Sequence, residues 1–163
     1  MKLIDSDDPI LKKKSIQWDF IQHINAAVIE REMLELMKSN KGIGLAANQI
    51  GLDRRVFVMR LRDGREMGFF NPTILNAHGD QSGKEGCLSF PNLFLTVNRY
   101  KKITAMYLDN AGKRCIIELE DIDARCFQHE LDHLDGVCFT DGISKLKLDR
   151  ALAKQRKLNG RTK

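Results

Sequence analysis

The chain lacks the long apolar runs of a membrane-spanning helix, which needs about 20 consecutive apolar residues. No segment of the sequence approaches that length. The first residues, Met1 to Lys14, alternate charges with short apolar pieces. They contain no signal-peptide core, and they are too acidic for a transit peptide. These absences argue against a helical membrane protein and predict a protein of the cytoplasm.

Closely spaced cysteine pairs are also absent, since the four cysteines stand apart at positions 87, 115, 126 and 138. That spacing favours reduced thiols over a disulfide scaffold. With 163 residues, 42% hydrophobic and 30% charged, the chain has the composition of a globular protein. We therefore expect one domain with a single core.

Internal repeats and long linkers are missing as well, and the order of predicted elements indicates the fold class. Residues 19–40 carry apolar side chains at spacings of three and four, which predicts a helix. Short strands are predicted over residues 56–59, 67–70, 103–108 and 114–119. A second helix, capped by Asp121 or Asp123, is predicted to run to about residue 135, where Gly136 ends it. We predict an α+β fold, with antiparallel sheets packed around this second helix and an N-terminal helix beside them.

The second predicted helix carries the sequence His129-Glu130-Leu131-Asp132-His133. Two histidines four residues apart lie on one face of a helix and can bind one divalent ion. Glu130 flanks that face and can reach a water at the metal. The alternative is a surface helix with two solvated histidines. We favour the metal site, because a chance match to this pattern in a chain with four histidines is rare.

A catalytic metal needs a third protein ligand, and the usual candidates are absent. Glu130 is the last glutamate of the chain, so the downstream glutamate of one protease class is missing. Phe139 stands where another class has a histidine after a glycine, and the other two histidines, His23 and His78, lie in the predicted first helix and in a predicted loop. The third ligand is therefore expected to be a cysteine.

Among the four cysteines, Cys87 is the favoured ligand. It lies in a glycine-containing segment, EGCLS at residues 85–89, whose backbone can hold a side chain in place and expose an amide beside it. Cys115 is expected in a strand of the core, Cys138 just past the helix, and Cys126 too close along the helix to complete a tetrahedron. These three are expected to be buried thiols.

Three ordered motifs resemble the peptide deformylases, the polypeptide deformylase family, of bacterial or phage type. They read GIGLAANQ at residues 42–49, EGCLS at residues 85–89 and QHELDHLDG at residues 128–136. The opening DPIL at residues 8–11 is similar to the family's usual start. The resemblance covers about residues 1–145, which we expect to form a single catalytic domain, with residues 146–163 as a basic C-terminal tail.

The resemblance implies a metal-dependent amidohydrolase that removes the formyl group from the N-terminal formylmethionine of newly made polypeptides and releases formate. Cys87, His129 and His133 would bind the metal. A water on that metal would attack the formyl carbon, with Glu130 as general acid and base. Gln49 and the backbone amide of Leu88 would hold the oxyanion, although Gln49 in isolation could simply cap a backbone group.

The same resemblance implies a set of substrate-binding residues and a cofactor. The backbone of Gly44 would pair with the substrate. The substrate-binding residues would be Ile43, Gly44, Glu85, Gly86, Arg125 and Cys126. The cofactor would be one divalent metal per chain, natively Fe²⁺, which Zn²⁺, Ni²⁺ or Co²⁺ can replace.

Two positions depart from the family pattern. Residues 90–94 contain no arginine, although bacterial members usually present one to the substrate near there. Arg125 stands where an apolar residue usually lines the methionine pocket. We expect its charged end to turn outward into solvent, which would leave the pocket unchanged. An inward orientation would make the pocket narrower or more polar.

The net charge of +5 comes from the tail and the two residues before it, since residues 144–163 hold eight Lys or Arg and one acid. Either this tail is a solvated end with a weakly apolar helix, or it contacts the ribosome, whose RNA is polyanionic. The expected partners are N-formylmethionyl peptides and, through the tail, the ribosome. We expect neither a membrane nor a specific nucleic-acid sequence as a partner.

Three other functions compete with this interpretation. An ordinary metalloprotease lacks support, because the downstream glutamate and histidine are missing. A catalytically idle binding module is disfavoured by the presence of Glu130, Gln49 and all three presumed ligands. A structural metal site would need a fourth protein ligand, for which Cys126 is the nearby candidate.

Overall fold

A computed structural model describes residues 1–22 and 25–159. Its elements in chain order are α1 (Ala26–Ser39), β1 (Gly44–Ala46), β2 (Val56–Arg60), β3 (Glu66–Cys87), β4 (Phe90–Leu108), β5 (Arg114–Glu120), α2 (Asp121–Leu134) and α3 (Lys145–Asn159). Short 3-10 helices lie at Pro9–Lys12 and Ala47–Ile50. The predicted α+β class is confirmed. Among the described residues, no helix combines the length and the apolar character needed to cross a membrane.

All five strands join one antiparallel sheet in the order β1-β2-β3-β4-β5. Each strand therefore pairs with its neighbours in the sequence. The longest pairing joins β3 to β4, from Phe70 opposite Leu108 to Cys87 opposite Phe90, with bulges along the way. At its far end, this hairpin extends as a two-stranded ribbon beyond the residues that pair with β2 and β5.

The core lies on both faces of β2, whose first four residues are fully buried. Phe57 and Met59 face α2, where Phe57 packs edge-on against Phe127 at a ring separation of 5.0 Å. Val56 and Val58 face α1. Because side chains alternate along a strand, one short strand supports a helix on each face of the sheet. Each such buried side chain contributes about 1.5–3 kcal/mol of transfer free energy.

The first helix is shorter than the prediction of residues 19–40, since α1 begins at Ala26. Its predicted end is confirmed: Asn40 caps it and Lys41 adopts a left-handed φ of 57°. The second helix is confirmed over Asp121–Leu134, but its cap is Glu120 rather than Asp121 or Asp123. Gly136, at φ 75°, ends it as predicted, and a Cβ there would lie 2.7 Å from the backbone oxygen of Lys12.

A third helix, α3, covers much of the predicted basic tail. Leu148, Ala151 and Leu152 pack it against a small apolar cluster of Leu93, Leu95 and Phe139. The tail therefore reaches the sheet through its apolar side. Its last residues, 160–163, and His23 lie outside the described residues.

Candidate metal centre

Cys87 lies at the tip of the long hairpin. It is the last residue of β3, it pairs with Phe90 at the start of β4, and Leu88 and Ser89 form the turn between them. The EGCLS motif is thus the end of a strand followed by a tight turn. Such a turn holds the thiol in a defined position and places the backbone of Leu88 beside it.

His129 and His133 approach this thiol from α2. The two histidines stand one helical turn apart, and their ring centroids lie 4.9 Å from each other. His133 Nε2 lies 3.2 Å from Cys87 Sγ. Donor atoms of Cys87, His129 and His133 all lie within 4.8 Å of one another. Residues separated by more than 40 positions in the sequence therefore converge on one point.

The chemistry of this donor set fits a divalent metal. The donor atoms of a tetrahedral site, at bond lengths of about 2.0–2.3 Å from the metal, stand roughly 3.5 Å from one another. The donor atoms of Cys87, His129 and His133 lie at similar distances from one another. Burial lowers the pKa of His133 well below its ordinary value, and the neutral imidazole is the form that binds metal. Burial also opposes the charge of His129, but hydrogen bonds to Cys87 and Glu85 raise its pKa to about 10, so a metal bound there would displace a proton. Three donors converge among the described residues, and an ion that they held would keep a position open, as in catalytic rather than structural sites.

Glu85 orients His129 from the side away from the thiol. Its Oε2 lies 2.9 Å from His129 Nδ1, which leaves Nε2 of that ring for the metal. Arg99 donates to both oxygens of the same carboxylate, at 2.9 and 3.0 Å. Burial opposes the charge of Glu85, but hydrogen bonds from His129 and Arg99 lower its pKa to about 2. Glu85 is therefore an ionised carboxylate at neutral pH.

Glu130 points into the same site and is buried, with 4% of its surface exposed. Burial raises the pKa of Glu130 to about 7, so this carboxyl can both accept and return a proton near neutral pH. Within the described part of the chain, no donor reaches its Oε2. A Cβ on Gly44 would lie 2.3 Å from Glu130 Oε1, so only glycine at position 44 leaves room for this side chain.

Gln49 is held at both ends of its amide. Its Oε1 accepts a hydrogen bond from the backbone N–H of Ala46 at 2.9 Å, which is the capping role considered from sequence. Its Nε2 lies 3.0 Å from Ser89 Oγ and 3.2 Å from Cys87 Sγ. The cap thus aims the amide nitrogen at the donor cluster, so the two roles considered for Gln49 are compatible.

A cavity of about 510 Å³ opens onto these groups. Ile43, Gly44, Glu85, Gly86, Arg125 and Cys126, the residues expected to bind substrate, all line it, as do Gln49, Cys87, Leu88, His129 and Glu130. Its mouth carries apolar side chains in contact with solvent, with Phe94 62% and Ile43 43% exposed. Phe94 packs over Gly86, where a Cβ would lie 2.8 Å from its ring.

The expectation that Arg125 turns outward is wrong. Only 5% of Arg125 is exposed, and its Nη1 donates to Glu85 Oε1 at 2.7 Å. Further hydrogen bonds of 2.9 Å reach the backbone oxygens of Gln81 and Val97. The carboxylate of Glu85 and the carbonyl groups of the two strands accept the hydrogen bonds that water would accept from an exposed guanidinium. The wall of the cavity at Arg125 is therefore polar.

The remaining cysteines lie apart from the donor cluster. Cys126 is buried and its thiol lies 3.6 Å from the backbone oxygen of Ile43, while burial raises its pKa well above the ordinary value. It is not among the converging donors found in the described residues, which argues against a closed structural site. Cys138 is buried past α2 as expected, whereas Cys115 in β5 is only half-buried. His78, expected in a loop, lies in β3 opposite Lys102.

Sequence reasoning missed several residues around the centre. Arg99 joins Glu85 to Asp132, Ser89 contacts Gln49, and the side-chain amide of Asn48 donates to the backbone oxygen of His133. Phe139 packs edge-on against His129, with ring centroids 5.7 Å apart. Ser89 and Asn48 belong to the motifs EGCLS and GIGLAANQ, so their place in those motifs could have indicated that they lie near the centre. Arg99 and Phe139 had no such signal.

The chain is similar to known proteins along nearly all of its length. A family model described as polypeptide deformylase matches residues 1–149. Peptide deformylases of Agrobacterium fabrum and Caulobacter vibrioides are each 42% identical to this chain. Both alignments cover 93% of this chain, and they cover 92% of the Agrobacterium protein and 90% of the Caulobacter protein. A crystal structure of a peptide deformylase from Legionella pneumophila superposes with a TM-score of 0.89 at 33% identity, covering 99% of this chain and 96% of that one. Another, from Synechococcus elongatus in complex with actinonin, superposes with a TM-score of 0.87 at 34% identity, covering 95% and 85%.

Proposed function

Since the chain belongs to the polypeptide deformylase family, whose enzymes remove the formyl group of new polypeptides, we propose that Cys87, His129 and His133 hold the metal for this reaction and that Glu130 transfers its protons. One observation carries the proposal. The three donors lie within 4.8 Å of one another, and the buried Glu130 lines the same cavity. The reaction is hydrolysis of a formamide to formate and a free amine.

The thiolate of Cys87 and the two imidazoles suit Fe²⁺, Zn²⁺, Ni²⁺ or Co²⁺, and we propose Fe²⁺ as the native ion. A divalent ion bound there supplies Lewis acidity, which polarises a carbonyl group and makes water a better nucleophile. Glu85 fixes the ring of His129, as carboxylates commonly do for metal-binding histidines.

Glu130 is the proton carrier of the proposed mechanism. Its carboxylate takes the proton of the attacking water and returns it to the departing amine nitrogen, so no net proton is lost. General acid–base catalysis of this kind contributes about 10²–10⁴-fold. The glycine at position 44 supports this role, because it keeps the space beside Glu130 Oε1 free. Any larger residue would place its Cβ against that oxygen.

The developing negative charge on the formyl oxygen needs hydrogen-bond donors. Gln49 Nε2 points at the donor cluster and is fixed by the contact of Gln49 Oε1 with Ala46. The backbone N–H of Leu88, in the turn next to Cys87, is the second proposed donor. Loss of one donor of this kind lowers rates by about 10²–10³-fold.

The rest of the peptide leaves the cavity along β1. This strand, Gly44–Ala46, is an edge of the sheet, so an extended substrate can pair with the backbone at Gly44 as an added strand. The methionine side chain then occupies the cavity between Gly86, Cys126 and Arg125. Residues after the methionine meet the exposed rings and methyl groups of Phe94 and Ile43.

The test is release of formate from formyl-Met-Ala-Ser by protein loaded with Fe²⁺ or Ni²⁺. Glu130→Gln keeps the shape of the buried side chain but cannot carry the proton, and we expect it to lose at least about 10²-fold in kcat. Glu118→Gln, an exposed glutamate of β5, is the matched control and should keep full activity. Equal rates for the unaltered chain and Glu130→Gln would overturn the mechanism. Digestion of casein instead of formate release would favour a protease.

A cytoplasmic location and ribosome contact through the basic tail stay predictions. Exposed lysines and arginines of α3, among them Lys147, Arg150 and Lys154, can meet phosphates on its solvent side while Leu148 and Leu152 face the sheet. Cosedimentation with ribosomes that persists at high salt, or after reversal of these charges, would contradict this role.

A further inference from the structure

Arg125 and His129 hold one carboxylate from the same helix. They stand four residues apart on α2 and so share a face. Arg125 Nη1 donates to Glu85 Oε1 at 2.7 Å, and His129 Nδ1 contacts Glu85 Oε2 at 2.9 Å. Each oxygen of Glu85 is thus tied to α2 by its own partner.

These contacts belong to a compact group of two acids and two guanidinium groups. Arg99 bridges Glu85 and Asp132, and Arg125 adds the second positive charge. Both arginine side chains and that of Glu85 are less than 10% exposed. Buried charges of this kind need every partner, because a missing one leaves an uncompensated charge away from water.

Gly83 makes the space that the guanidinium fills. A Cβ at position 83 would lie 3.1 Å from Cζ and Nη2 of Arg125 and 3.2 Å from Nε. From this position, Arg125 donates to the backbone oxygens of Gln81 in β3 and Val97 in β4. The arginine therefore ties α2 to both strands of the ribbon whose tip carries Cys87.

We propose that Arg125, seated against Gly83, is a positioning residue for the metal centre. By fixing Glu85 Oε1 it holds Oε2 where His129 needs it, and by holding the ribbon it fixes the distance between Cys87 and α2. Without the guanidinium, Glu85 loses one of its two donors at Oε1 and gains room to move toward Gly83. The inference rests on the proposed function in one respect, that Cys87 and His129 are metal ligands.

The experiment measures Zn²⁺ affinity by competition with a chromophoric chelator, together with the visible absorption of the Co²⁺-loaded chain. Arg125→Met removes the charge at similar length, and Gly83→Ala presses on the guanidinium from the other side. Loss of an outer partner of a metal ligand typically weakens metal binding by about 10–100-fold. Because Arg125 acts on His129 through Glu85, we expect about tenfold weaker binding in Arg125→Met and a smaller loss in Gly83→Ala. Arg125→Lys, which restores one donor, should recover part of the affinity.

Arg55→Met is the matched control. Arg55 is also buried, at 7% exposure, and pairs with Asp135, but it does not contact Glu85. The Arg55→Met variant should have a lower melting temperature than the unaltered chain, with the same Zn²⁺ dissociation constant and the same Co²⁺ spectrum. An unchanged Zn²⁺ affinity in Arg125→Met would overturn the proposal. If that variant does not fold, unchanged affinity in Gly83→Ala would overturn it equally.

The affinity measurement needs no turnover, so it separates this proposal from the proposed function. An unaltered chain that binds Zn²⁺ but releases no formate would contradict the deformylase activity and leave the Arg125 comparison decisive. An unaltered chain that binds no Zn²⁺ would overturn both.

Discussion

At position 44 even a methyl group would collide with the side chain proposed to carry the proton. A Cβ there would lie 2.3 Å from Glu130 Oε1 and 2.8 Å from Cys126 Sγ, and both partners are buried, so neither can easily move away. We predict that Gly44→Ala displaces the Glu130 carboxyl. A misplacement of about 1 Å can cost about 10²-fold in rate, and we expect a loss of that order in kcat for formate release.

Gly142→Ala is the control for this substitution, because nothing lies within 4 Å of a Cβ built at position 142. That variant should keep its activity, whereas Gly44→Ala should lose activity and remain folded by circular dichroism. Unaltered kcat in Gly44→Ala would mean that Glu130 tolerates displacement, which contradicts its proposed role.

At the scale of single residues, what the sequence predicts depends on how local the determinant is. The pair His129 and His133 follows from helical spacing alone, so the five residues from His129 to His133 were sufficient. The direction of Arg125 depends instead on Gly83 and Glu85, about 40 residues upstream and on another element. Without knowledge of that pairing, solvent was the reasonable expectation for a lone arginine.

At the scale of elements, α2 was predictable because its two faces differ. Leu134 and Phe127 lie in the core, whereas His129 and Glu130 line the cavity, so the sequence shows a clear period. The distal part of β3 and β4 was not predicted as strand. Residues 75–84 are exposed or half-buried, because no second sheet packs against the ribbon in the described part of the chain. No alternation of apolar and polar residues reveals this segment as strand.

The third helix provides a prediction of its own. Leu148 and Leu152 are half-buried against Leu93 and Phe139. Leu→Ala in a full core costs about 2–5 kcal/mol, so we expect the double variant Leu148→Ala/Leu152→Ala to lose about 2–3 kcal/mol in urea unfolding. The C-terminal helix is then part of the fold rather than an appended tail.

The control for that experiment changes charge and leaves packing intact. Lys154→Ala/Arg156→Ala alters two exposed residues of α3 and should change the free energy of unfolding by less than about 0.5 kcal/mol. Equal stability of both double variants would show that α3 contributes nothing to the fold and would favour a separable tail.

At the scale of the whole molecule, the centre joins two parts of the structure that are far apart in sequence. Cys87 belongs to the hairpin tip, whereas His129 and His133 belong to the helix in the core. A ligand that binds only the folded chain stabilises it by RT ln(1 + [L]/Kd), which is about 2.7 kcal/mol at one hundred times Kd. We predict that a chelator lowers the melting temperature and that added Zn²⁺ restores it.

Cys87→Ala provides the comparison for the metal dependence, because it removes the thiolate and leaves both histidines in place. Its melting temperature should respond weakly to Zn²⁺ or chelator. An equally strong response in Cys87→Ala would place the stabilising ion elsewhere on the chain.

The shortness of β1 has a consequence for self-association. The edge strand that is proposed to receive the substrate must stay open, and open edges invite strands from other copies of a protein. The three residues of β1, Gly44–Ala46, offer too few backbone hydrogen bonds to hold a strand of another copy by themselves. A bound peptide would add contacts with the cavity beside this strand. The opposite edge, β5, is seven residues long, and its exposed positions include Arg114, Glu118 and Glu120. One edge is thus short, and the other carries charged residues beside the exposed Ile116, and both the shortness and the charges disfavour pairing with a strand of another copy.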